Sequence, residues 1–198
     1  IVGTLEGAGS LLLTGERVAL NFLQRMCGIA TLTQDYVKRV AHTQTKLLDT
    51  RKTTPLWRVL EKYAVRIGGG SNHRSGLDDG ILIKENHVTV AGGIKEAIEA
   101  CRNSVHHLQK IEVEVRNSEE IMQALSSGAD ILLLDNMTPE QVHEAVKMVE
   151  SRCVIEISGG VNTDNVVRYA EAGADFVSLG ILTHSSPSSD LSLILEIR

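Results

Sequence analysis

Residues 128–135 read GADILLLD, and this stretch decides the fold class. The run Ile131–Leu134 is short and wholly apolar, which is typical of a strand that is buried on both faces and lies parallel to its neighbours. The Gly-Ala-Asp opening returns at Gly173–Asp175, where it again predicts the end of a helix followed by a strand.

Outward from this stretch, apolar runs alternate with amphipathic segments of helical period. The predicted strands are Lys46–Asp49, Ala64–Ile67, Gly80–Lys84, Lys110–Val115, Asp130–Asp135, Cys153–Ser158 and Asp175–Leu179. The predicted helices are Arg17–Cys27, Pro55–Tyr63, Gly93–His107, Ser118–Ser127, Pro139–Glu150 and Asn162–Ala172, with N-caps at Ser118 and Thr138. This order predicts an α/β fold, either a barrel or an open doubly wound sheet. The tail Asp190–Arg198 alternates like one more strand, which must pair outside the barrel.

The composition limits the possible functions. The chain has 198 residues, of which 42% are hydrophobic and 23% charged, as in an ordinary globular protein. No apolar run is long enough to span a membrane. A net charge of −5 and 3% aromatic residues argue against a nucleic-acid partner. Three widely separated cysteines fit neither a disulfide framework nor a zinc site, so we expect a cytoplasmic protein.

Polar residues gather after the predicted strands, where a parallel α/β fold places its active site. The basic ones are Arg51, Lys52, His73, Arg74, Lys84 and His87. Because so many cations in an acidic protein would repel one another without an anion, they predict a substrate with several negative charges. Arginine suits carboxylates and phosphates in a bidentate manner.

Acidic residues and glycines complete the predicted site. Glu112 and Glu114 share one face of their strand, which in a barrel is the interior, so both need partners, and lysines or arginines are the obvious ones. Glu114 and Asp135 offer the oxygen ligands that Mg²⁺ prefers. The loop Ser158–Gly160 before a helix predicts a phosphate site, which Gly180 after the next strand completes.

The ordered set of motifs resembles the quinolinate phosphoribosyltransferase family. The motifs are LDTRKTTP (48–55), EKYAV (61–65), GGGSNHR (68–74), LIKENH (82–87), EVEV (112–115), LDN (134–136), SGG (158–160) and LTH (182–184). The resemblance covers nearly the whole chain. Leu56 departs from it, since the family usually has Gly there, and could stiffen or reshape that loop.

The resemblance implies an incomplete TIM-like α/β barrel of parallel strands with remnants of an N-terminal α/β sandwich domain. Residues 1–28 would be the end of the sandwich domain and a connecting helix, residues 29–185 the barrel, and residues 186–198 a strand that returns to the sandwich. Most of the sandwich would lie outside this sequence.

The implied reaction joins quinolinate to phosphoribosyl pyrophosphate and releases pyrophosphate and CO₂, giving nicotinate mononucleotide for NAD biosynthesis. The resemblance assigns catalysis to Lys52, Lys84, Glu114 and Asp135, with Mg²⁺ on Glu114 and Asp135. Substrate binding falls to Arg17, Arg51, Lys52, His73, Arg74, Lys84, Glu114, Asp135, Ser158, Gly159, Gly160, Gly180 and His184. Arg17 matches an arginine that a partner subunit supplies, so a homodimer or larger homo-oligomer is expected.

Two alternatives stay open at this point. One is a related barrel with a different anion, such as the molybdenum-transport-associated relatives of this family; the complete set Arg51, His73 and Arg74 favours quinolinate instead. The other is a non-catalytic phosphate-binding or assembly module, which would not need the interior carboxylates Glu114 and Asp135.

Overall fold

The computed structural model describes residues 1–196, and these form eight helices and six strands. In chain order the elements are α1 (Gly9–Val40), β1 (Lys46–Leu48), α2 (Arg58–Ile67), β2 (Ile81–Ile83), α3 (Glu85–Ala91), α4 (Ile94–Ser104), β3 (Ile111–Val115), α5 (Ser118–Ser126), β4 (Ile131–Asp135), α6 (Pro139–Val149), β5 (Val154–Ser158), α7 (Val166–Glu171), β6 (Phe176–Ser178) and α8 (Ile181–His184). None of the helices in these residues combines the length and apolar character needed to cross a membrane.

The strands form one parallel sheet in the order β1-β6-β5-β4-β3-β2. In a closed barrel β1 and β2 would pair, but within residues 1–196 they are the two edges of the sheet. Ser71 makes a single parallel bridge to Leu48 on the open side of β1. The fold is therefore an incomplete α/β barrel, which confirms the predicted class.

The two faces of this sheet carry different chemistry. The pairing register aligns Glu114 of β3 with Leu133 of β4 and Glu156 of β5, and it aligns Asp135 with Ser158. Residues paired across parallel strands point to the same side of the sheet. We call the side with Glu112, Glu114, Asp135, Glu156 and Ser158 the inner face, and the opposite side the outer face.

The outer face is apolar and lies beneath the helices. It consists of Leu47, Ile83, Ile111, Val113, Val115, Leu132, Leu134, Ile155, Ile157 and Val177, all of them in one contiguous buried core. The helices add Ile98, Ile121, Val142 and Val166 to the same core. Leu133, whose side chain points inward, is buried but lies outside this core. Helix packing on one side of the sheet thus leaves the other side available for polar residues.

Helix capping was predicted correctly at Thr138 and wrongly at Ser118. The Thr138 hydroxyl accepts from the Gln141 N–H, and the Gln141 side chain accepts from the Thr138 N–H, which is a capping box. In α5 the cap is Asn117, whose side chain accepts from the Glu120 N–H. Ser118 is the first helical residue instead, because the Asn117 side chain one position earlier already satisfies the free N–H.

The predicted strand Ala64–Ile67 is wrong, because these residues are the last turn of α2. Within α2, Glu61, Lys62, Ala64 and Val65 are buried, whereas Tyr63, Arg66 and Ile67 are exposed. That spacing has the helical period, and a four-residue apolar run does not distinguish a strand from a buried helix turn. The sheet consequently has six strands rather than seven.

Other element boundaries also differ from the predictions. Helix α1 extends well beyond Arg17–Cys27, and its first half is mostly exposed. Helices α3 and α8 were not predicted. Helix α7 begins at Val166 rather than Asn162, because residues 160–165 are held in turns by the side chains of Asn162 and Asn165.

The tail lies against α1 without forming a strand in the described residues. The Gln24 carbonyl accepts from the Ser189 N–H at 3.0 Å, and the Gln24 amide donates to the Leu191 carbonyl at 2.7 Å. Ile197 and Arg198 lie outside the described residues. Since the predicted strand at 190–198 needs a partner outside this chain, it stays a prediction, as does the division into residues 1–28, 29–185 and 186–198.

Candidate active site

The inner face holds an ion pair where β2 and β3 end. Lys84 follows β2, and its Nζ lies 2.7 Å from Oε2 of Glu114. Glu114 is largely buried, with 12% of its side chain exposed, whereas 51% of the Lys84 side chain is exposed. The expectation that Glu114 has a lysine or arginine partner is confirmed. The pair faces the open end of the barrel, where a bound anion could contact the ammonium.

Deeper in the barrel, His73 lies between two buried glutamates. Its Nε2 is 3.4 Å from Oε2 of Glu112 and 3.4 Å from Oε1 of Glu156. Burial lowers the pKa of His73, but the two carboxylates raise it more, to about 9. Glu112 therefore has histidine as its partner instead of the expected lysine or arginine.

The glutamate pair is electrostatically strained. Burial, and then repulsion by Glu156, raise the pKa of Glu112 even though His73 lowers it. One oxygen of each glutamate is buried without a hydrogen-bond partner. The three side chains bring one nitrogen and two oxygens within 4.8 Å of one another, which is ligand-like spacing. Glu156 was missed from the sequence, although a carboxylate between Ile155 and Ile157 is the same signal that drew attention to Glu112.

A second buried ion pair fixes the loop that carries His73. Asp49, fully buried after β1, contacts the Lys62 ammonium and the Asn72 amide, and it accepts from the His73 N–H at 2.9 Å. Lys62 also donates to the His73 carbonyl at 2.8 Å. Burial raises the pKa of Asp49, and the Lys62 ammonium opposes this rise. Both backbone groups of His73 are thus held, which orients its ring inward.

Arg74 and Arg51 provide the cationic side of the site. Arg74 is half-buried, and its Nη1 donates to the Gly80 carbonyl at 2.8 Å. Burial, and then the nearby Arg51 guanidinium, lower the pKa of Arg74. Two guanidiniums held close together favour an anion between them, because it removes their mutual repulsion. The dicarboxylate clamp by Arg51 and Arg74 stays a prediction.

Lys52, Gly180 and His184 meet at the β1–β6 side of the barrel. A Cβ on Gly180 would lie 3.0 Å from the His184 ring and 3.1 Å from Cδ of Lys52. The missing side chain thus lets the lysine stem and the histidine ring approach the same point. The Thr183 hydroxyl also donates to the Lys52 carbonyl at 2.7 Å, which ties the two segments together.

The predicted phosphate loop has the required backbone. Gly159 and Gly160 have φ of +93° and +66°, a region that favours glycine, and a Cβ on Gly159 would lie only 2.2 Å from Oδ1 of Asn136. Ser158 is paired with Asp135, the predicted metal ligand. The expected helix N-terminus at Asn162 is wrong, since α7 starts four positions later and is short. Backbone amides and the Ser158 hydroxyl are the donors that remain.

Arg17 is the predicted site residue that the fold does not bring to the others. It is exposed on α1, and within residues 1–196 it has no ion pair or hydrogen bond to another predicted site residue.

Leu56, the departure from the family, is fully exposed and has φ of +66°, the conformation that glycine adopts most easily.

The comparisons with known proteins agree with this geometry. A family model described as quinolinate phosphoribosyl transferase, C-terminal domain, matches residues 29–194. The probable nicotinate-nucleotide pyrophosphorylase [carboxylating] of Bacillus subtilis is 44% identical over 98% of this chain and 67% of its own length. The human nicotinate-nucleotide pyrophosphorylase [carboxylating] is 39% identical over 98% of this chain and 67% of its own length.

A solved structure of NadC from Streptococcus pyogenes superposes with a TM-score of 0.89 at 44% identity. The match covers 93% of this chain and 65% of that chain, so this chain spans about two thirds of the length of its relatives. The family match over residues 29–194 includes both the sequence motifs and the strands that form the inner face. The chain therefore belongs to the quinolinate phosphoribosyltransferase family.

Proposed function

We propose that this chain carries the catalytic barrel of a carboxylating nicotinate-nucleotide pyrophosphorylase. It would transfer the phosphoribosyl group of phosphoribosyl pyrophosphate to quinolinate, releasing pyrophosphate and CO₂ in NAD biosynthesis. The observation that carries the proposal is the ion pair between Lys84 and Glu114 where β2 and β3 end, on the inner face of a barrel of this family. We assign Arg51, Lys52, His73, Arg74 and Lys84 to the substrate anions, and Glu114 and Asp135 to the ribose and the metal.

Quinolinate is a planar dianion, so its carboxylates suit the guanidiniums of Arg51 and Arg74 and the Lys84 ammonium. Held in this way, the ring nitrogen can attack C1 of the ribose as the bond from C1 to pyrophosphate breaks. Orientation of this kind lowers the barrier by removing the entropy cost of bringing two substrates together.

Positive charge develops on the ribose ring as pyrophosphate leaves. Glu114 and Asp135 lie on neighbouring strands at the inner face, and their negative charge would stabilise that positive charge. After transfer, the ring nitrogen is cationic. The bond to the adjacent carboxyl group can then break, because its electron pair stays on a ring carbon beside the cation until a proton is added there.

Mg²⁺ fits this donor set. Glu114 and Asp135 supply carboxylate oxygens, and Asp135 is held in place by the Asn136 amide, which donates to it at 2.8 Å. When bound, Mg²⁺ would neutralise charge on the pyrophosphate leaving group. Ser158, Gly159, Gly160 and Gly180 would hold the 5′-phosphate.

We further propose a cytoplasmic homodimer in which the partner subunit supplies Arg17 to the site. The support is the family membership together with the exposure of Arg17 on α1, where it makes no hydrogen bond or ion pair to the other predicted site residues within residues 1–196.

The test is an assay of the chain with quinolinate, phosphoribosyl pyrophosphate and Mg²⁺, measuring both pyridine nucleotide and released CO₂. Arg74→Ala should weaken quinolinate binding by about 2–5 kcal/mol, because it removes a charged contact. Arg168→Ala, which alters an exposed ion pair with Glu140, is the matched control and should bind normally. Binding of both substrates without any product would contradict the proposed catalysis and favour a non-catalytic barrel.

A further inference from the structure

Helices α1 and α2 are joined by an ion pair that lies beside, but not in, the candidate active site. Arg25 of α1 donates to Oε1 of Glu61 of α2 from Nε at 3.1 Å and from Nη2 at 2.8 Å. Glu61 is fully buried, and 21% of the Arg25 side chain is exposed. A buried pair of this kind adds little net stability to the fold, because both charges lose their hydration. The groups that the pair holds in position are therefore the better guide to its role.

Glu61 holds the loop that carries the predicted substrate cations. Its Oε2 accepts from the Thr54 N–H at 3.1 Å, and its Oε1 accepts from the Thr54 hydroxyl at 2.8 Å. Thr54 closes the loop 50–54, which contains Arg51 and Lys52. Both hydrogen-bond donors of Thr54 therefore depend on a single buried carboxylate.

Arg25 holds the segment on the other side of the same cations. Its Nη1 donates to the Ser186 carbonyl at 2.8 Å, and its Nη2 contacts the Thr183 carbonyl. The Thr183 hydroxyl in turn donates to the Lys52 carbonyl at 2.7 Å. Arg25 of α1 is thus linked to loop 50–54 through Thr183.

We propose that Arg25 and Glu61 are positioning residues that hold loop 50–54 against the 180–186 segment, so that Lys52 and Arg51 face the anionic substrate. The inference rests on the proposed function. Neither Arg25 nor Glu61 contacts the substrate in this proposal; both act through Thr54 and Thr183.

The test compares three variants with a stability control. Glu61→Ala removes both acceptors, Glu61→Gln keeps one carbonyl that can still accept from Thr54, and Thr183→Val removes only the hydroxyl bond to Lys52. Val142→Ala changes a fully buried residue of α6 in the outer core and has no contact with this network. Quinolinate affinity is measured by calorimetry, the melting temperature by circular dichroism, and amide exchange at Thr54 by mass spectrometry.

We expect Glu61→Ala to weaken quinolinate binding by about 10- to 100-fold, because small misplacements of binding groups have effects of this size. Glu61→Gln should recover part of this loss. Thr183→Val should weaken binding by about three- to tenfold, as expected for one neutral hydrogen bond. The amide of Thr54 should exchange faster in both Glu61 variants. Val142→Ala should lower the melting temperature and leave affinity and Thr54 exchange unchanged.

Equal affinity in Thr183→Val and wild type, with no faster Thr54 exchange in Glu61→Gln, would overturn the inference. An equal loss of affinity in Val142→Ala would also overturn it, since the effect would then follow from stability alone. If the wild-type chain binds no quinolinate, the proposed function fails, and Thr54 exchange together with the affinity for inorganic pyrophosphate then decides the positioning role.

Discussion

The outer and inner faces of the sheet are made by the same six strands but obey different physical requirements. On the outer face, Leu132 and Leu134 are completely buried beneath helices in a continuous apolar core. On the inner face of the neighbouring strands, Glu112 and Glu156 are also buried, yet each has an oxygen that makes no hydrogen bond. The two faces are therefore not distinguished by how deeply their side chains are buried. They differ because the inner face contains buried polar atoms that make no hydrogen bond.

The difference shows where the free energy of folding is gained and where it is given up. Apolar burial on the outer face stabilises the fold, while charged groups in the interior are costly unless they are paired. Residues that weaken a fold in this way are expected where a ligand completes the pairing. The following experiments test this comparison, beginning with the largest expected effect.

Adjacent leucines of β4 test the two faces directly. Leu134→Ala should destabilise the fold by about 3–5 kcal/mol, because a cavity forms in a tightly packed core. Leu133→Ala should cost less, about 2–3 kcal/mol, since its side chain borders the polar interior, where water can fill the space. Urea unfolding of both variants measures the difference. Equal losses would show that the inner face is packed as tightly as the outer one.

Glu114→Gln tests whether the inner face works in catalysis rather than stability. It removes the charge that we assign to the developing ribose cation and leaves the shape of the side chain unchanged. We expect kcat to fall by about 100- to 1,000-fold, as when one stabilising group is removed from an active site. The melting temperature should change little. Activity close to that of wild type would remove Glu114 from the mechanism.

The interior histidine makes stability depend on pH. The pKa of His73 is raised from its ordinary 6.5 to about 9, so its contribution is fully present below pH 6.5 and is lost as the pH rises through 9. We expect a loss of up to about 3 kcal/mol over this range, since one pKa unit corresponds to about 1.4 kcal/mol.

Glu156→Gln removes one of the carboxylates that raise this pKa. The pKa of His73 should then fall, and the pH at which stability is lost should move down with it. NMR titration of the histidine and urea unfolding at several pH values measure both effects. An unchanged titration of His73 would show that Glu156 does not act on the ring.

The smallest expected effect belongs to the helices that cover the outer face. Thr138→Ala should destabilise the protein by about 1 kcal/mol, because it removes the N-cap of α6. Ser118→Ala is the matched control and should have almost no effect, since Asn117 caps α5. Neither variant should change quinolinate affinity. A change in affinity would mean that the outer layer is coupled to the site.

Much of the outer face was predictable from sequence, because apolar runs such as Ile131–Leu134 repeat with clear spacing. The strand error at Ala64–Ile67 arose where a short run fits both a strand and a helix turn. The inner face was predictable where polar residues end a strand, as at Lys84 and Glu114. It was not predictable where contacts join distant parts of the chain.

The contacts between Arg25 and Glu61, and between His73 and Glu156, are examples of this kind. Their partners are 36 residues apart in the first pair, and nothing in the local pattern relates them. Sequence spacing can place a residue on a face, but the fold decides which residue it meets across that face.

Leu56, beside the loop of cationic residues, has a consequence for the energy landscape of this chain. A left-handed backbone conformation costs a leucine about 1–2 kcal/mol, and the fully exposed side chain makes no packing contacts that would offset this cost. The loop is therefore locally frustrated: its own preference and the shape imposed by the surrounding fold disagree. When the surrounding contacts weaken, they no longer hold Leu56 in its unfavourable backbone conformation. We therefore expect the loop at residues 50–56 to be the first part of the barrel mouth to adopt a second conformation.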